Sequence, residues 1–358
     1  MSDSLKQCRD KIDAIDEQVL ELVNERARLA REIGNLKHDG IVYRPEREAQ
    51  VLRRLLDHNQ GPLCGEAVTA IFRQVISNCR ALEKDLSVAF LGPLGTFSEE
   101  AAIRQFGELS APVQCSSIDE VFRMVEAGNV DYGVVPVENS TEGAIGRTLD
   151  LLMTTDLKIC GEIGLPVHHN LISTHTKLSD IETVYSHAQS LSQCHEWLNQ
   201  NLPKARRQAV ISNAEAARIA KHDFTIEGTA AIASKRAAEL FGLNVLAENI
   251  EDDPRNTTRF LVLSSHDAAP SGQDKTSLVT ATRNIPGAIF ELLEPLARHQ
   301  VSMTKLESRP SKMGMWEYVF FVDIEGHRED SAVVKALAEL QQRAAFLKVL
   351  GSYPMAVL

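Results

Sequence analysis

Hydrogen-bonding side chains gather at several points where an apolar run of the sequence ends or begins. In GVVPVENSTEG (133–143) the run ends in Glu138, Asn139 and Ser140. The other such clusters contain Thr96 and Phe97 in LGPLGTFSEEAA, Ser186 and Gln193 in YSHAQSLSQC, Ser212 and Asn213 in ISNAEAA, and Thr258 and Arg259 in NTTRF. Because strand ends meet at one edge of an α/β sheet, these residues together predict a polar cleft for a small molecule.

The histidines of this region are weaker candidates for a functional role than these clusters. His187 is expected to orient its strand-to-helix junction. His168 and His169 in PVHHNL are expected to be strand residues, because no third ligand lies at a spacing that suits a metal.

A second set of candidate residues lies in a helical seam near the start of the chain. Apolar residues repeat there in steps of three and four, and Arg26 occupies a seam position where Leu or Ile would be expected. Lys37 lies three turns later on the same face, about 16 Å away. A buried cation needs an anion, which is either a ligand or an acidic side chain that fixes helix register.

Composition excludes several classes of protein. The chain has 358 residues, a formal net charge of −11 and no long basic run, which argues against nucleic acid as a main partner. The six cysteines include no C-x-x-C and indicate reduced thiols, with neither a disulfide framework nor a zinc site. The N-terminal residues lack a signal-peptide pattern and no apolar run is long enough to span a membrane, so a cytoplasmic location is expected.

The elements that must position these residues fall into three parts. Residues 1–86 are predicted to be helical, with a first helix on the order of 50 Å long. Such a helix cannot bury its apolar stripe against two short helices of its own chain, so a homodimer, or a tetramer, is expected. Residues 87–265 alternate strands and helices, which predicts a largely parallel α/β sheet. After a linker at 266–275, residues 276–358 show a βαββαβ order, typical of a ferredoxin-like unit.

The helical part closely resembles the small all-helical chorismate mutases. The residues that carry this resemblance are Arg9 in CRDKIDAID, Arg26 in NERARLA, Lys37 in GNLK, Arg47 and Glu48 in RPERE, and Glu83 in CRALE. The resemblance implies that Arg9 of a neighbouring subunit, Arg26 and Arg47 hold the substrate carboxylates. It also implies that Lys37 and Glu83 face the ether oxygen, that Glu48 faces the hydroxyl and that Cys79 lines the site.

This chain departs from some of those mutases at Cys79 and Glu83, where they carry Ser and Gln. An amide donates a hydrogen bond at any pH, whereas a carboxyl donates only when it is protonated. We therefore expect mutase turnover to fall as pH rises and Glu83 loses its proton.

The middle part closely resembles the prephenate dehydratases, through GPLGTFSEEAA, GVVPVENSTEGAI, SHAQSLSQC and NTTRF. That resemblance implies two α/β lobes around a cleft, as in periplasmic binding proteins, with Thr258 as hydrogen-bond donor to the leaving hydroxyl. It implies catalytic roles around Thr258 for Glu138, Asn139, Ser186 and Gln193. The residues implied to bind substrate are Thr96, Phe97, Ser140, Ser212, Asn213 and Arg259. For Arg259 a structural ion pair is an equal alternative.

The last part resembles the regulatory ACT domain, through NIPGAIFELL and LESRPSKMGMWEY. The residues implied to bind L-phenylalanine are Asn284, Gly287, Ala288, Ile289, Glu307, Ser308, Arg309 and Pro310. Gly287 permits close backbone approach at a helix start, which suits a carboxylate.

Together the resemblances imply a bifunctional chorismate mutase–prephenate dehydratase inhibited by phenylalanine. The expected ligands are chorismate, prephenate and L-phenylalanine, with no metal, organic cofactor, nucleic acid or membrane. Two alternatives stay open at this point. The dehydratase substrate could be arogenate, or the α/β part could be a ligand-responsive binding module without activity.

Overall fold

The computed structural model describes residues 2–37, 40–222, 228–282, 286–310 and 318–357. The chain forms a helical part, a two-lobed α/β part and a smaller α+β part in that order. This is the fold class expected from the sequence. The residue limits drawn between the parts stay predictions.

The helical part consists of α1 (Ser2–Leu36), α2 (Pro45–His58) and α3 (Gly65–Ala81). Helix α2 packs on α3, which in turn contacts α1 and the first lobe. The apolar stripe of α1 is left exposed along most of its length, at Leu5, Ile12, Ile15, Val19, Leu22, Leu29, Ile33 and Leu36. A helix of 35 residues with such a stripe requires another apolar surface to cover it.

The first lobe is a mixed sheet in the order β2-β1-β3-β11-β5, with the short β4 paired to β3. Its strands and helices are β1 (Ser87–Leu91), α4 (Phe97–Phe106), β2 (Ala111–Cys115), α5 (Ile118–Glu126), β3 (Tyr132–Asn139), β4 (Gly143–Ala144), α6 (Gly146–Thr154) and β5 (Lys158–Pro166), and β11 (Thr257–Ser264) returns from the second lobe.

The second lobe is a five-stranded sheet in the order β10-β6-β9-β7-β8. Its elements are β6 (Asn170–Ser173), a short 3₁₀ turn (Leu178–Asp180), β7 (Thr183–His187), α7 (Ala188–Gln193), α8 (His195–Asn201), β8 (Arg206–Val210), α9 (Asn213–His222), β9 (Thr229–Ala233), α10 (Lys235–Phe241) and β10 (Asn244–Ala247).

Apart from the short β4, four of the five strands in each lobe run in one direction, as a largely parallel sheet requires, and one strand in each lobe is antiparallel. In the first lobe β1 is parallel to β2 and β3, but β11 is antiparallel to β3 and β5. The reason is that β5 leads out to the second lobe and β11 leads back, so the two crossing strands run in opposite directions. The second lobe is mixed in the same way, because β6 is antiparallel to β9 and β10.

The α+β part has the βαββαβ order that the sequence predicted. Its elements are β12 (Asp274–Ala281), α11 (Ala288–Arg298), β13 (Met303–Pro310), β14 (Tyr318–Glu325), α12 (Ser331–Arg343) and β15 (Phe346–Pro354), and the strand order is β13-β14-β12-β15. Helices α11 and α12 pack together and bury Leu278, Leu292, Phe320 and Leu340 with their neighbours.

The opposite face of this sheet docks on the first lobe. Val279, Phe321 and Tyr353 belong to the same apolar core as Val137 and Leu261 of the first lobe. Strand β15 approaches β5 so closely that a Cβ at Gly351 would overlap the carbonyl of Ile159. The first lobe and the α+β part therefore share one continuous core, and β3 and β11 lie within it.

Candidate active sites

A cleft of about 1000 Å³ lies where the strand ends and helix starts of the two lobes face each other. The first lobe contributes the turn before α4, the end of β3 and the start of β11. The second lobe contributes the starts of α7 and α9. Of the residues predicted from sequence, the cleft is lined by Thr96, Phe97, Asn139, Gln193, Ser212, Asn213 and Thr258. This confirms that the polar strand ends of the sequence meet.

One wall of the cleft is held by a closed ring of four hydrogen bonds, and two of its residues, Asn139 and Gln193, line the cleft. The backbone N–H groups of Thr141 and Glu142 donate to Asn139 Oδ1, so this oxygen is an acceptor and Asn139 Nδ2 is a donor. Asn139 then donates to Asn256 Oδ1 at 3.0 Å, and Asn256 donates to Gln193 Oε1 at 3.1 Å. Gln193 donates to Thr141 Oγ1 at 2.9 Å, and that hydroxyl donates to Asn139 Oδ1 at 2.6 Å. Two backbone amides therefore fix every orientation in the ring.

Thr258 is attached to this ring as an acceptor. Asn139 Nδ2 donates to Thr258 Oγ1 at 2.9 Å. The two residues also face each other across the β3–β11 pair. Within the described part of the chain the Thr258 hydroxyl hydrogen has no acceptor, although the side chain is largely buried and lines the cleft. The arrangement leaves the O–H free to donate to a ligand.

Polar residues of the second lobe hold one another in place. Asn213 Oδ1 accepts from Ser186 Oγ at 2.8 Å and from the backbone N–H of His187 at 3.0 Å. Asn213 Nδ2 donates to Ser190 Oγ at 2.9 Å. Ser186 is fully buried and is not part of the cleft lining, so it lies behind Asn213.

Two of the hydroxyls that line the cleft serve as helix caps. Thr96 Oγ1 accepts from Glu99 N–H at the start of α4. Ser212 Oγ accepts from Glu215 N–H in the first turn of α9. Both hydroxyls stabilise helix starts that border the cleft.

Glu138, Ser140 and Arg259 do not line the cleft, which corrects the expectation for these residues. Successive side chains of a strand point to opposite faces, so Glu138 and Arg259 lie on the face opposite Asn139 and Thr258. Ser140 Oγ accepts from Thr257 N–H at 3.0 Å and joins the two strands.

Arg259 lies instead in an ionic cluster between the first lobe and the α+β part. It donates to Glu162 at 2.8 Å, to Asp323 at 2.6 Å and to the Tyr353 hydroxyl at 2.9 Å. Lys305 donates to Glu138 at 2.7 Å in the same interface. The structural ion pair named as the alternative for Arg259 is therefore what the structure contains.

The second candidate site lies among the three N-terminal helices. Lys37 Nζ donates to Glu83 Oε2 at 2.8 Å, and Arg26 Nη1 is buried without a partner among the described residues. Glu48 forms an ion pair with the buried Arg80. Burial raises the pKa of Glu48, and the charge of Arg80 offsets only part of that rise.

The remaining residues of this site have different surroundings. Cys79 is buried on α3, whereas Arg9 and Arg47 are exposed. Glu83 lies just beyond the end of α3 instead of within it. A Cβ at Gly34 would lie 3.0 Å from Glu83 Cγ, so a glycine on α1 makes room for this carboxylate.

The residues predicted to bind L-phenylalanine lie at the start of α11 and on strand β13. Gly287 has φ +82° and caps α11, with open space where a Cβ would be, and Ala288 and Ile289 begin the helix. Ser308 and Pro310 are exposed and Glu307 is half-buried on edge strand β13, while Asn284 lies outside the described residues. Arg309 corrects the expectation, because its guanidinium lies against Gly146 and Asp150 of α6.

Sequence reasoning did not select Asn256, and it gave no site role to Thr141 or His169. Asn256 lies in the NTTRF motif that was singled out, so its signal was present.

Within the described ranges no group of three or more His, Cys, Asp or Glu side chains suits a metal ion. None of the described helices has the length and hydropathy of a membrane span.

Three family models match the chain in the order of its structural parts. Chorismate mutase type II matches residues 8–84, prephenate dehydratase matches 88–268 and the ACT domain matches 276–342. These matches define a fusion of two enzyme domains with a regulatory domain.

Relatives extend over nearly the whole chain. A bifunctional chorismate mutase/prephenate dehydratase from Neisseria gonorrhoeae is 54% identical over 353 residues, which cover 98% of this chain and 97% of the relative. Prephenate dehydratase in complex with L-Phe from Arthrobacter aurescens has a TM-score of 0.70 and 35% identity, covering 76% of this chain and 90% of that one. A structure described as a quorum quenching acylase has a TM-score of 0.69 and 30% identity, covering 75% and 98%. The chain belongs to the bifunctional chorismate mutase/prephenate dehydratase family.

Proposed function

We propose that this chain rearranges chorismate to prephenate in its helical part and converts prephenate to phenylpyruvate in the cleft, under inhibition by L-phenylalanine. The observation that carries the dehydratase assignment is the Thr258 hydroxyl, which accepts from Asn139 and keeps its own hydrogen free in the cleft. Family membership and the match of all three models support the combination.

The mutase reaction is a pericyclic rearrangement, so it needs no acid, base or nucleophile. The protein must hold a dicarboxylate in a compact conformation and stabilise charge on the breaking ether oxygen. Arg26, with a buried N–H that has no partner in the described structure, and the exposed Arg47 would bind carboxylates. Lys37 and Glu83 would face the ether oxygen.

Glu48 would face the substrate hydroxyl, and Arg9 would enter from a second copy of the chain. The exposed apolar stripe of α1 supports a homodimer. A tetramer and the cytoplasmic location expected from sequence stay predictions.

The dehydratase reaction breaks two bonds of prephenate. The bond to the ring carboxylate releases CO₂, and its electron pair completes the aromatic ring as the C–O bond releases hydroxide. Thr258 would donate a hydrogen bond to the departing oxygen, where negative charge develops. Asn139 and Gln193 would hold Thr258 and the cleft wall in position, with Thr96, Phe97, Ser212 and Asn213 contacting the rest of the substrate.

L-phenylalanine would bind at the start of α11 and along the exposed face of β13, between paired ACT domains. Gly287 leaves open space at that helix start. Phe290 and Leu306 are exposed near these elements and would be covered in the pair. Inhibition then requires that phenylalanine binds one of two global states more tightly.

The proposal is tested by feeding chorismate to the purified protein and separating prephenate from phenylpyruvate by chromatography, with and without phenylalanine. We expect phenylpyruvate to appear after prephenate and to be suppressed by phenylalanine. Prephenate that accumulates without phenylpyruvate would contradict the dehydratase assignment, and arogenate supplied in its place then tests the alternative substrate. Absence of both products would contradict the mutase assignment.

The carboxyl at Glu83 predicts a particular pH dependence of the mutase step. In Glu83→Gln the amide keeps an acceptor for Lys37 and donates to the ether oxygen at any pH. We expect the fall of mutase turnover at high pH to disappear in this variant, measured as kcat against pH. Glu66→Gln, an exposed change in the first turn of α3, is the control and should keep the parent profile. An unchanged profile in Glu83→Gln would exclude this role for Glu83.

A further inference from the structure

Besides the Thr258 hydroxyl, a second polar group next to the hydrogen-bond ring lacks a partner among the described residues, namely Nδ1 of His169. His169 Nε2 lies 2.9 Å from Gln193 Oε1, which is an acceptor because Gln193 Nε2 donates to Thr141. His169 Nε2 must therefore carry the hydrogen. His169 Nδ1 is buried and has no hydrogen-bond partner among the described residues.

The structure holds this imidazole firmly in the wall of the cleft. His169 lines the cleft but is only 1% exposed. The ring of Phe97 meets it edge to face at 5.7 Å. Glu251 accepts from the His169 backbone N–H at 2.8 Å and also contacts His168 Nδ1 at 2.7 Å. The Gln193 bond and the Phe97 contact hold the ring, and Glu251 holds the backbone that carries it, so Nδ1 keeps one orientation.

The charge state of His169 follows from its surroundings. Burial lowers the pKa of His169 from the ordinary value of 6.5, and the hydrogen bond with Gln193 and the charge of Glu251 offset only part of this. The neighbouring His168 acts in the lowering direction. At neutral pH the ring is therefore uncharged, with a hydrogen on Nε2 and a lone pair on Nδ1.

A buried acceptor without a donor is unfavourable, so a ligand that supplies the donor gains affinity there. Prephenate at neutral pH carries two carboxylates, a ketone and one hydroxyl, and the hydroxyl is its single hydrogen-bond donor. A donor to the oxygen of a leaving hydroxyl assists its departure, and an acceptor for its hydrogen fixes its orientation. Thr258 offers the first and His169 offers the second.

We propose that His169 is a catalytic residue of the dehydratase cleft, whose Nδ1 accepts the hydrogen of the substrate hydroxyl while Thr258 donates to its oxygen. The proposal rests on the dehydratase function proposed above. It involves no net proton transfer to His169. Its contribution is to orient the C–O bond that breaks and to retain the departing group after the break.

Two substitutions separate this role from a purely structural one. In His169→Gln the amide nitrogen takes the place of Nε2 and keeps the bond to Gln193, but nothing replaces Nδ1. In His169→Asn the amide oxygen takes the place of Nδ1, and the bond to Gln193 is lost. We expect kcat/KM for prephenate to fall by roughly 30-fold or more in His169→Gln, and to stay nearer the parent value in His169→Asn.

The opposite order, with His169→Gln near the parent value and His169→Asn impaired, would show that His169 only supports Gln193 and would overturn the proposal. Equal activity of both variants with the parent protein would overturn it as well. Mutase activity and the thermal midpoint of the same preparations report folding. If the parent protein itself makes no phenylpyruvate from prephenate, the proposed function fails before His169 is tested.

The pH profile gives an independent reading. Protonation of Nδ1 removes the acceptor, so the parent kcat/KM should fall as pH drops through the lowered pKa of His169, below 6.5. This acidic limb should be absent from both His169 variants. His168→Gln alters the adjacent, half-exposed ring that contacts Glu251 and should retain the limb. An acidic limb that persists in the His169 variants would assign it to another group.

Discussion

Replacing Thr258 by Val should lower dehydratase kcat by about 10²- to 10³-fold while leaving mutase turnover unchanged. Valine keeps nearly the shape of threonine but removes the hydroxyl that would donate to the departing oxygen. The loss should appear mainly in kcat, because the interaction strengthens as negative charge develops on that oxygen. The measurement is phenylpyruvate formation from prephenate under saturating substrate, with prephenate formation from chorismate in the same preparation as the folding control.

Thr257→Val is the matched control for this prediction. It removes a hydroxyl from the preceding residue of β11. Thr257 Oγ1 donates to the backbone carbonyl of Arg255, and Thr257 does not line the cleft. It should retain most of the activity. Thr258→Ser keeps a hydroxyl beside Asn139 and should lie much closer to the parent than Thr258→Val does. Equal losses in Thr257→Val and Thr258→Val would point to strand distortion and against hydrogen-bond donation.

Much of the cleft was predictable because its residues share one simple feature. Asn139, Gln193, Asn213 and Thr258 all lie where a strand or a helix ends, and such ends converge at one edge of a sheet. The sequence therefore indicates which residues meet. It does not indicate their hydrogen-bond directions, which here depend on two backbone amides beyond Asn139 that only the folded loop brings into position.

Glu138 and Arg259 show where the sequence was interpreted too broadly. Each is adjacent to a residue that lines the cleft, and the alternation of strand side chains excludes both neighbours from facing the same side. That rule was available from sequence and would have turned the two residues away from the cleft. Their partners Asp323 and Lys305 were not predictable, because they come from a separate part that docks through its sheet.

The sequence did not predict a site role for His169, and the reason differs from that for Glu138 and Arg259. Its sequence context gave no third metal ligand, and it was expected to be a strand residue, whereas it lies in the link between β5 and β6. What singles out His169 is the pairing of one ring nitrogen with Gln193 and the lack of a partner for the other, which depends on contacts distant in sequence. A lone histidine beside a strand carries no such information.

Replacing Arg259 by Met should lower the midpoint of thermal inactivation of the dehydratase by roughly 10 °C, the shift expected for a loss of about 3–5 kcal/mol when one member of a buried ion cluster is removed. The change leaves Glu162 and Asp323, which are 7% and 9% exposed, without their shared cation. Lys275 still reaches Glu162 at 2.8 Å, so Asp323 should account for most of the loss. The measurement is residual dehydratase activity after heating, across a series of temperatures.

The same substitution should weaken inhibition by phenylalanine. Arg259 adjoins Thr258 on β11 and bonds to Asp323 and Tyr353 of the α+β part, so it directly connects that part with the strand that carries Thr258. Arg255→Met is the control, because Arg255 forms only an exposed pair with Asp253 and should change neither stability nor inhibition. In the double variant Arg259→Met with Asp323→Asn, the loss should be smaller than the sum of the single losses, because Asp323 is then no longer an unpaired charge. Additive losses, or full inhibition by phenylalanine in Arg259→Met, would contradict this connection.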